Sequence, residues 1–209
     1  MFHNILKFII IIDSIILVHY NKKFYKYDNY YEITSRIYSL INALVSVIFS
    51  LLYYTKIIDI ELFSYCWLIN IIFLVLDSHL YITNRIGTKN KYTMLFHHII
   101  FFYVWLKSKI VMIHYCRALL TETSTIFLNL SWFSLISLIN NNHFKIYSVL
   151  FSVSFFIARI VNLTHFLFET YNHEEPKLFL TTIPSTILNY YWMILITKKM
   201  YLMFNNPQL

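Results

Sequence analysis

Seven apolar runs separated by short polar stretches dominate this chain: Ile5–Tyr20, Ile37–Thr55, Leu62–Ile82, Tyr92–Leu106, Ile110–Leu130, Ile146–Phe168 and Leu178–Thr197. A helix needs about 20 residues to cross a hydrocarbon core about 30 Å thick. Most of the runs reach or approach that length, while Ile5–Tyr20 and Tyr92–Leu106 fall short of it. Open strands at that depth would leave backbone groups unpaired in hydrocarbon, so an all-α fold is expected. Composition agrees with this. Of 209 residues, 58% are hydrophobic and 13% charged, against about 25% charged in an ordinary soluble domain. Disorder is excluded, because it needs low hydrophobicity and high charge. The expectation is a polytopic membrane protein with about seven transmembrane helices and no extramembrane domain.

The first run has Lys7 ahead of its apolar stretch, as a signal peptide would, but Asp13 interrupts it. The following His19-Tyr20-Asn21-Lys22-Lys23 offers no small-residue cleavage site, so an uncleaved helix is expected. The net charge of +7 does not point to nucleic acid, because the basic residues sit in loops between apolar runs. With seven spans, one side receives Lys22, Lys23, Lys26, Arg36, Arg85, Lys89, Lys91, Lys145, Lys198 and Lys199. The other receives Lys7, Lys56, Lys107, Lys109 and Lys177. This imbalance predicts a cytosolic C-terminus. Cys66 and Cys116 both lie inside apolar runs and read as small buried hydrophobes.

Ionisable groups inside the runs are the informative residues: Asp13, Asp77, His79, His97, His98, His114, Arg117, Glu122, Arg159 and His165. A charge at mid-helix costs about 2.5–3.5 kcal/mol on insertion scales unless paired or watered. His97 and His98 are adjacent, about 100° apart on a helix, so they cannot face one spot. One facing the interior could act as acid, base or ligand; the alternative is two histidines bonded to loop carbonyls. No metal site is expected, since adjacency lacks the i, i+4 spacing that puts two ligands on one face. Glu122, Thr125 and Asn129 are spaced three and four apart and form one polar stripe, which must face other helices or a cavity. Arg159 shares a face with Asn162. A Glu122–Arg159 pair would neutralise both charges as a purely structural device, while Asp77 could pair with Arg159, His97 or His98. Glycine-mediated close packing is out of reach with a single glycine, Gly87, so polar and aromatic contacts must hold the helices. Phosphate-cradling glycine loops, nucleophile elbows and paired-cysteine motifs are all missing.

Several of these segments resemble a known family. Leu120-Thr121-Glu122-Thr123-Ser124-Thr125-Ile126-Phe127-Leu128-Asn129-Leu130-Ser131-Trp132 is similar to a segment of TLC-domain proteins, the group containing ceramide synthases, TRAM-like translocon proteins and the TLC-domain-containing membrane proteins. Ser35-Arg36-Ile37-Tyr38-Ser39-Leu40-Ile41-Asn42-Ala43 resembles the family's opening segment. Asp77 matches its helix-ending aspartate, Phe96-His97-His98 its paired histidines, and Phe156–Ile160 and Leu188–Trp192 its closing helices. The resemblance covers Ser35 to Lys199. It departs in carrying Asn42 for a histidine, and Glu122-Thr123 where ceramide synthases have a His-Asp pair.

The resemblance implies an N-terminal membrane helix and loop over 1–34, a TLC domain over 35–200 and a short tail over 201–209. It implies a six-helix barrel around a lipid-accessible cavity, with the first span outside, in an endoplasmic-reticulum-type membrane. The leading expectation is a protein that handles lipid or acyl chains and influences membrane lipid composition. An acyl chain would enter a cavity floored by Glu122, Thr125, Asn129, Arg159, Asn162, Asp77 and one of His97 or His98. The partners are membrane lipids, not nucleic acid, and no cofactor is expected. The rival is an N-acyltransferase with acyl-CoA as co-substrate, in which His97 or His98, with Asp77, removes the amine proton. A translocon-associated role is a third expectation, with dispensable histidines.

Overall fold

The computed structural model describes residues 30–83, 91–107, 112–172 and 176–205, and all regular structure among them is helical. The helices are α1 (Tyr30–Tyr54), α2 (Ile60–Ile82), α3 (Lys91–Lys107), α4 (Met112–Leu120), α5 (Thr123–Leu135), α6 (Phe144–Phe155), α7 (Asn162–Asn172) and α8 (Pro176–Asn205). A one-turn 3₁₀ segment, Asn141–His143, leads into α6, and a π-helical segment, Phe156–Val161, joins α6 to α7 without a break. The expected first span, Ile5–Tyr20, lies outside the described residues.

Local chemistry explains where these helices begin and bend. Helix α1 starts ahead of the apolar run because Glu32 and Arg36 extend it by an i, i+4 pair at 3.7 Å. The boundary expected between residues 34 and 35 therefore falls inside a helix. Asp59 caps α2, its carboxylate accepting the Leu62 amide at 2.8 Å. Ile110–Leu130, expected as one run, is divided in two at Thr121-Glu122. Hydroxyls cause the division. Thr121, Thr123 and Ser124 each donate to a carbonyl three residues back, at 2.6, 2.8 and 3.0 Å, and the amides of Thr121 and Glu122 tighten to the same spacing.

Three helices are long and apolar enough to cross a membrane: Tyr30–Tyr54, Ile60–Ile82 and the continuous Phe144–Asn172. The expected count of seven is therefore not reached among the described residues. Helix α3 has only 17 residues, about 26 Å at 1.5 Å per residue. The α4–α5 rod is interrupted, and the 30-residue α8 carries Thr182, Pro184, Ser185, Thr186 and Asn189 in its first half.

Taken as rods, α1, α2, α3, α4–α5, α6–α7 and α8 pack in a closed cycle. Helix α1 touches α2, α2 touches α3, α3 touches α8, α8 touches α7 and the π segment, α6 packs along α5, and α4 and α5 return to α1. The burial pattern is inverted relative to a protein in water. Ser46, Ser50, Asn129 and Ser134 are fully buried, while Ile48, Ile57, Ile99, Phe168 and Ile194 are exposed. In hydrocarbon that arrangement is the stable one, since unpaired polar groups outside would have no water to bond. Substituting for absent glycines, Asn42 donates to Asn70 at 3.2 Å, and Asn70 donates to Ser46 at 2.9 Å, joining α1 to α2. The main apolar cluster is Phe63, Cys66, Cys116 and Leu119, with Tyr53 stacked on Phe63 at 4.6 Å. Both cysteines are free and buried there, as expected for small hydrophobes.

Asn70→Leu should strand the Asn42 amide, while the Ser46 hydroxyl keeps its bond to the Asn42 carbonyl at 2.6 Å, lowering stability by about 1–2 kcal/mol. Thermal unfolding in detergent measures this; an unchanged midpoint would show that the α1–α2 bonds do not hold the helices.

Candidate functional site

Arg159 lies near the midpoint of the continuous helix Phe144–Asn172, in its π segment, and is 7% exposed. A π turn inserts extra backbone and turns a side chain off the regular helical face. The guanidinium meets the α4–α5 break. Its Nε donates to Ser124 Oγ at 2.8 Å, and Nη2 donates to Thr125 Oγ1 at 3.1 Å and to Glu122 Oε1 at 3.4 Å. The Phe155 ring lies 5.4 Å from the guanidinium carbon. The pair expected between Glu122 and Arg159 is thus present, and Asp77 lies elsewhere.

The two histidines diverge, as adjacent helix positions require. His98 is 5% exposed and turns toward α2. Its Nδ1 shares a hydrogen bond with Ser78 Oγ at 2.8 Å, and its Nε2 stands 3.5 Å from Asp77 Oδ2. Asp77 in turn accepts from Ser35 Oγ at 2.6 Å, tying α1, α2 and α3 together. His97 turns toward α8, where its ring lies 5.6 Å from Trp192, and it stands 5.7 Å from Phe101.

Between α3, α4, the π segment, α7 and α8 lies a cavity of about 40 Å³. Apolar walls come from Ile100, Phe101, Ala118, Leu163 and Phe166, and polar ones from His97, Thr121, Arg159, Thr182, Ser185 and Asn189. Two helix irregularities converge here, the Thr121-Glu122 break and the π segment bearing Arg159, and α8 carries Pro184 inside an unbroken helix between Thr182 and Ser185. Asn189 is 1% exposed; its amide donates to the Ser185 carbonyl at 2.7 Å, and its Oδ1 has no partner.

Of the residues expected at the site, Arg159 and His97 line the cavity, and Glu122 and Thr125 hold Arg159 from outside it. Asn129 leaves the expected stripe to join α5 to α1, donating to Ser39 at 3.1 Å and accepting from Arg36 at 3.4 Å. Asn162 donates to the Arg117 carbonyl at 3.0 Å, fastening α7 to α4. Among the described residues, the cavity beside Arg159 has about 40 Å³, room for a few water-sized groups. Asp13 lies outside the described residues, as does the side chain of His114. His79 is exposed near the end of α2, and Arg117 pairs with Glu169 beside His165. Among the described residues no group of three His, Cys, Asp or Glu is placed to hold a metal ion.

Sequence reasoning overlooked Ser35, Ser78, Ser124 and Asn189. Ser124 stood in the quoted Thr-Glu-Thr-Ser-Thr string, one residue off the helical stripe. Asn189 carried a weaker signal, a single amide in an apolar run.

Apolar side chains facing out and bonded polar groups facing in define a helical integral membrane protein with a polar interior. A family model of the TLC domain matches residues 32–205, and the chain belongs to the TLC-domain family. No curated protein and no solved structure matches it.

Arg159→Met alone should lower stability by about 3–5 kcal/mol, because it leaves the Glu122 carboxylate without its partner. Adding Glu122→Gln should restore part of this, giving a coupling of about 1–3 kcal/mol in a double-mutant cycle read by thermal unfolding. Additive effects would mean that the two groups do not compensate each other.

Proposed function

We propose that this protein handles membrane lipids without catalysing their conversion, gripping a lipid head in the cavity beside Arg159 and thereby influencing membrane lipid composition. The observation that carries the reading is a cation near mid-helix on the wall of a small cavity whose other polar walls are His97, Thr121, Thr182, Ser185 and Asn189. Polar groups retained in hydrocarbon are costly and mark functional sites by default. The cavity is too small for a tail, so the chain of the lipid lies along apolar helix faces. The six rods serve as the family's barrel, with the first span outside it, in an endoplasmic-reticulum membrane and with the C-terminus cytosolic.

A second reading, acyl-CoA-dependent N-acylation, is favoured by the Asp77–His98 pair, since a carboxylate beside an imidazole can orient a base. Against it, that imidazole is engaged on both nitrogens and lies away from the cavity, while His97 has no carboxylate partner.

The purified protein should retain a lipid detectable by native mass spectrometry, and should form no N-acyl product from a sphingoid base and acyl-CoA. Product formation abolished by His98→Ala would overturn the non-catalytic reading; a folded protein that retains no lipid would overturn the gripping of a head.

A further inference from the structure

Away from the cavity, α4 and α7 share a group of polar side chains on the outer face of the bundle. Arg117 Nη1 donates to Glu169 Oε2 and, at 3.5 Å, to His165 Nδ1, which stands 3.9 Å from the same carboxylate oxygen. A guanidinium can only donate, so His165 Nδ1 accepts, and a neutral ring then carries its proton on Nε2, the nitrogen turned the other way. All three side chains keep accessible surface: 22% for Arg117, 27% for Glu169 and 68% for His165. Among the described residues, Arg117 commits only Nη1 to these contacts, and a guanidinium has five N–H donors.

Depth explains how such a group stands on a lipid-facing helix. The continuous helix Phe144–Asn172 has 29 residues, about 43 Å at 1.5 Å per residue. That matches the about 40–45 Å of a whole bilayer, not the about 30 Å of its hydrocarbon. Both ends agree: Lys145 is exposed in the first turn, and Tyr171 is exposed in the last, where aromatic belts sit. Glu169, in the last turn, therefore lies among the lipid heads, and His165, one turn deeper, lies at the edge of the hydrocarbon. The His165 donor is on the inner side and the carboxylate on the outer, with Arg117 between them. A zwitterionic phospholipid has the complementary order along the membrane normal, its phosphate nearer the tails and its ammonium nearer the water. Charge balance points the same way. Arg117 is already compensated by Glu169, so an anionic head would leave a surplus charge, whereas a zwitterion brings both signs.

We propose that Arg117, Glu169 and His165 bind the head of a zwitterionic phospholipid on the outer face of the bundle, as a lipid contact separate from the cavity. The phosphate accepts from His165 Nε2 and the remaining N–H groups of Arg117, and the ammonium lies against the Glu169 carboxylate.

Three lipids with the same tails test this on the full chain in an uncharged detergent: phosphatidylcholine, phosphatidylglycerol and diacylglycerol, with binding read by native mass spectrometry. Phosphatidylcholine should bind at least about tenfold tighter than either of the others. Glu169→Gln removes the partner of the ammonium and should lower the ratio of phosphatidylcholine to phosphatidylglycerol by about tenfold. His165→Leu should weaken both phospholipids severalfold against diacylglycerol. Should Glu169→Gln fail to fold, the exposed His165 position decides. Glycerophosphocholine, the same head without tails, should leave phosphatidylcholine bound; its displacement of the lipid at equal concentration would overturn a lipid as the occupant. Equal binding of the three lipids by the native chain, or ratios unaltered in either folded variant, overturns this site and leaves the cavity reading standing.

Discussion

A guanidinium near the middle of an apolar helix must find partners inside the protein, and the polar interior of this molecule is arranged around that requirement. Arg159 is served by two hydroxyls and a carboxylate, all from the segment where α4 gives way to α5. The same hydroxyl-rich segment breaks the helix and so brings Glu122 and Ser124 to one guanidinium. A regular helix would turn those two side chains about 200° apart. Breaking the rod and satisfying the cation are one structural event.

The irregularities of the other helices follow the same logic. The π segment re-aims Arg159, and Pro184, which has no backbone N–H to donate, stands in α8 where Thr182 and Ser185 face the cavity. Departures from regular helix free backbone groups, which in a membrane is tolerable only where the surroundings are polar or watered. Their convergence on one small volume explains why the cavity has polar walls while the outer faces of the same helices carry exposed isoleucine, leucine and phenylalanine.

Asp77, His98 and Ser35 form a separate unit that fastens three helices, and Arg36, Asn129 and Ser39 form another. Polar groups on membrane helices thus divide into two kinds here. Many bond to neighbouring helices and act as glue at about 0.6 kcal/mol per bond. A few line a space between the helices, and these mark the candidate site.

The sequence alone determined that the chain is helical, that it lives in a membrane, and that Arg159 needs a carboxylate, Glu122 or Asp77, because hydrocarbon leaves no other solution for such runs and charges. It also established the family, through motifs in a set order. Only the tertiary structure decided which of the two adjacent histidines meets the cavity, that Asn129 and Asn162 turn to neighbouring helices, and that the hollow is small. Those outcomes depend on where rods cross and where helices bend, and side-chain direction after a break or a π turn no longer follows the 3.6-residue period that a sequence can be read by.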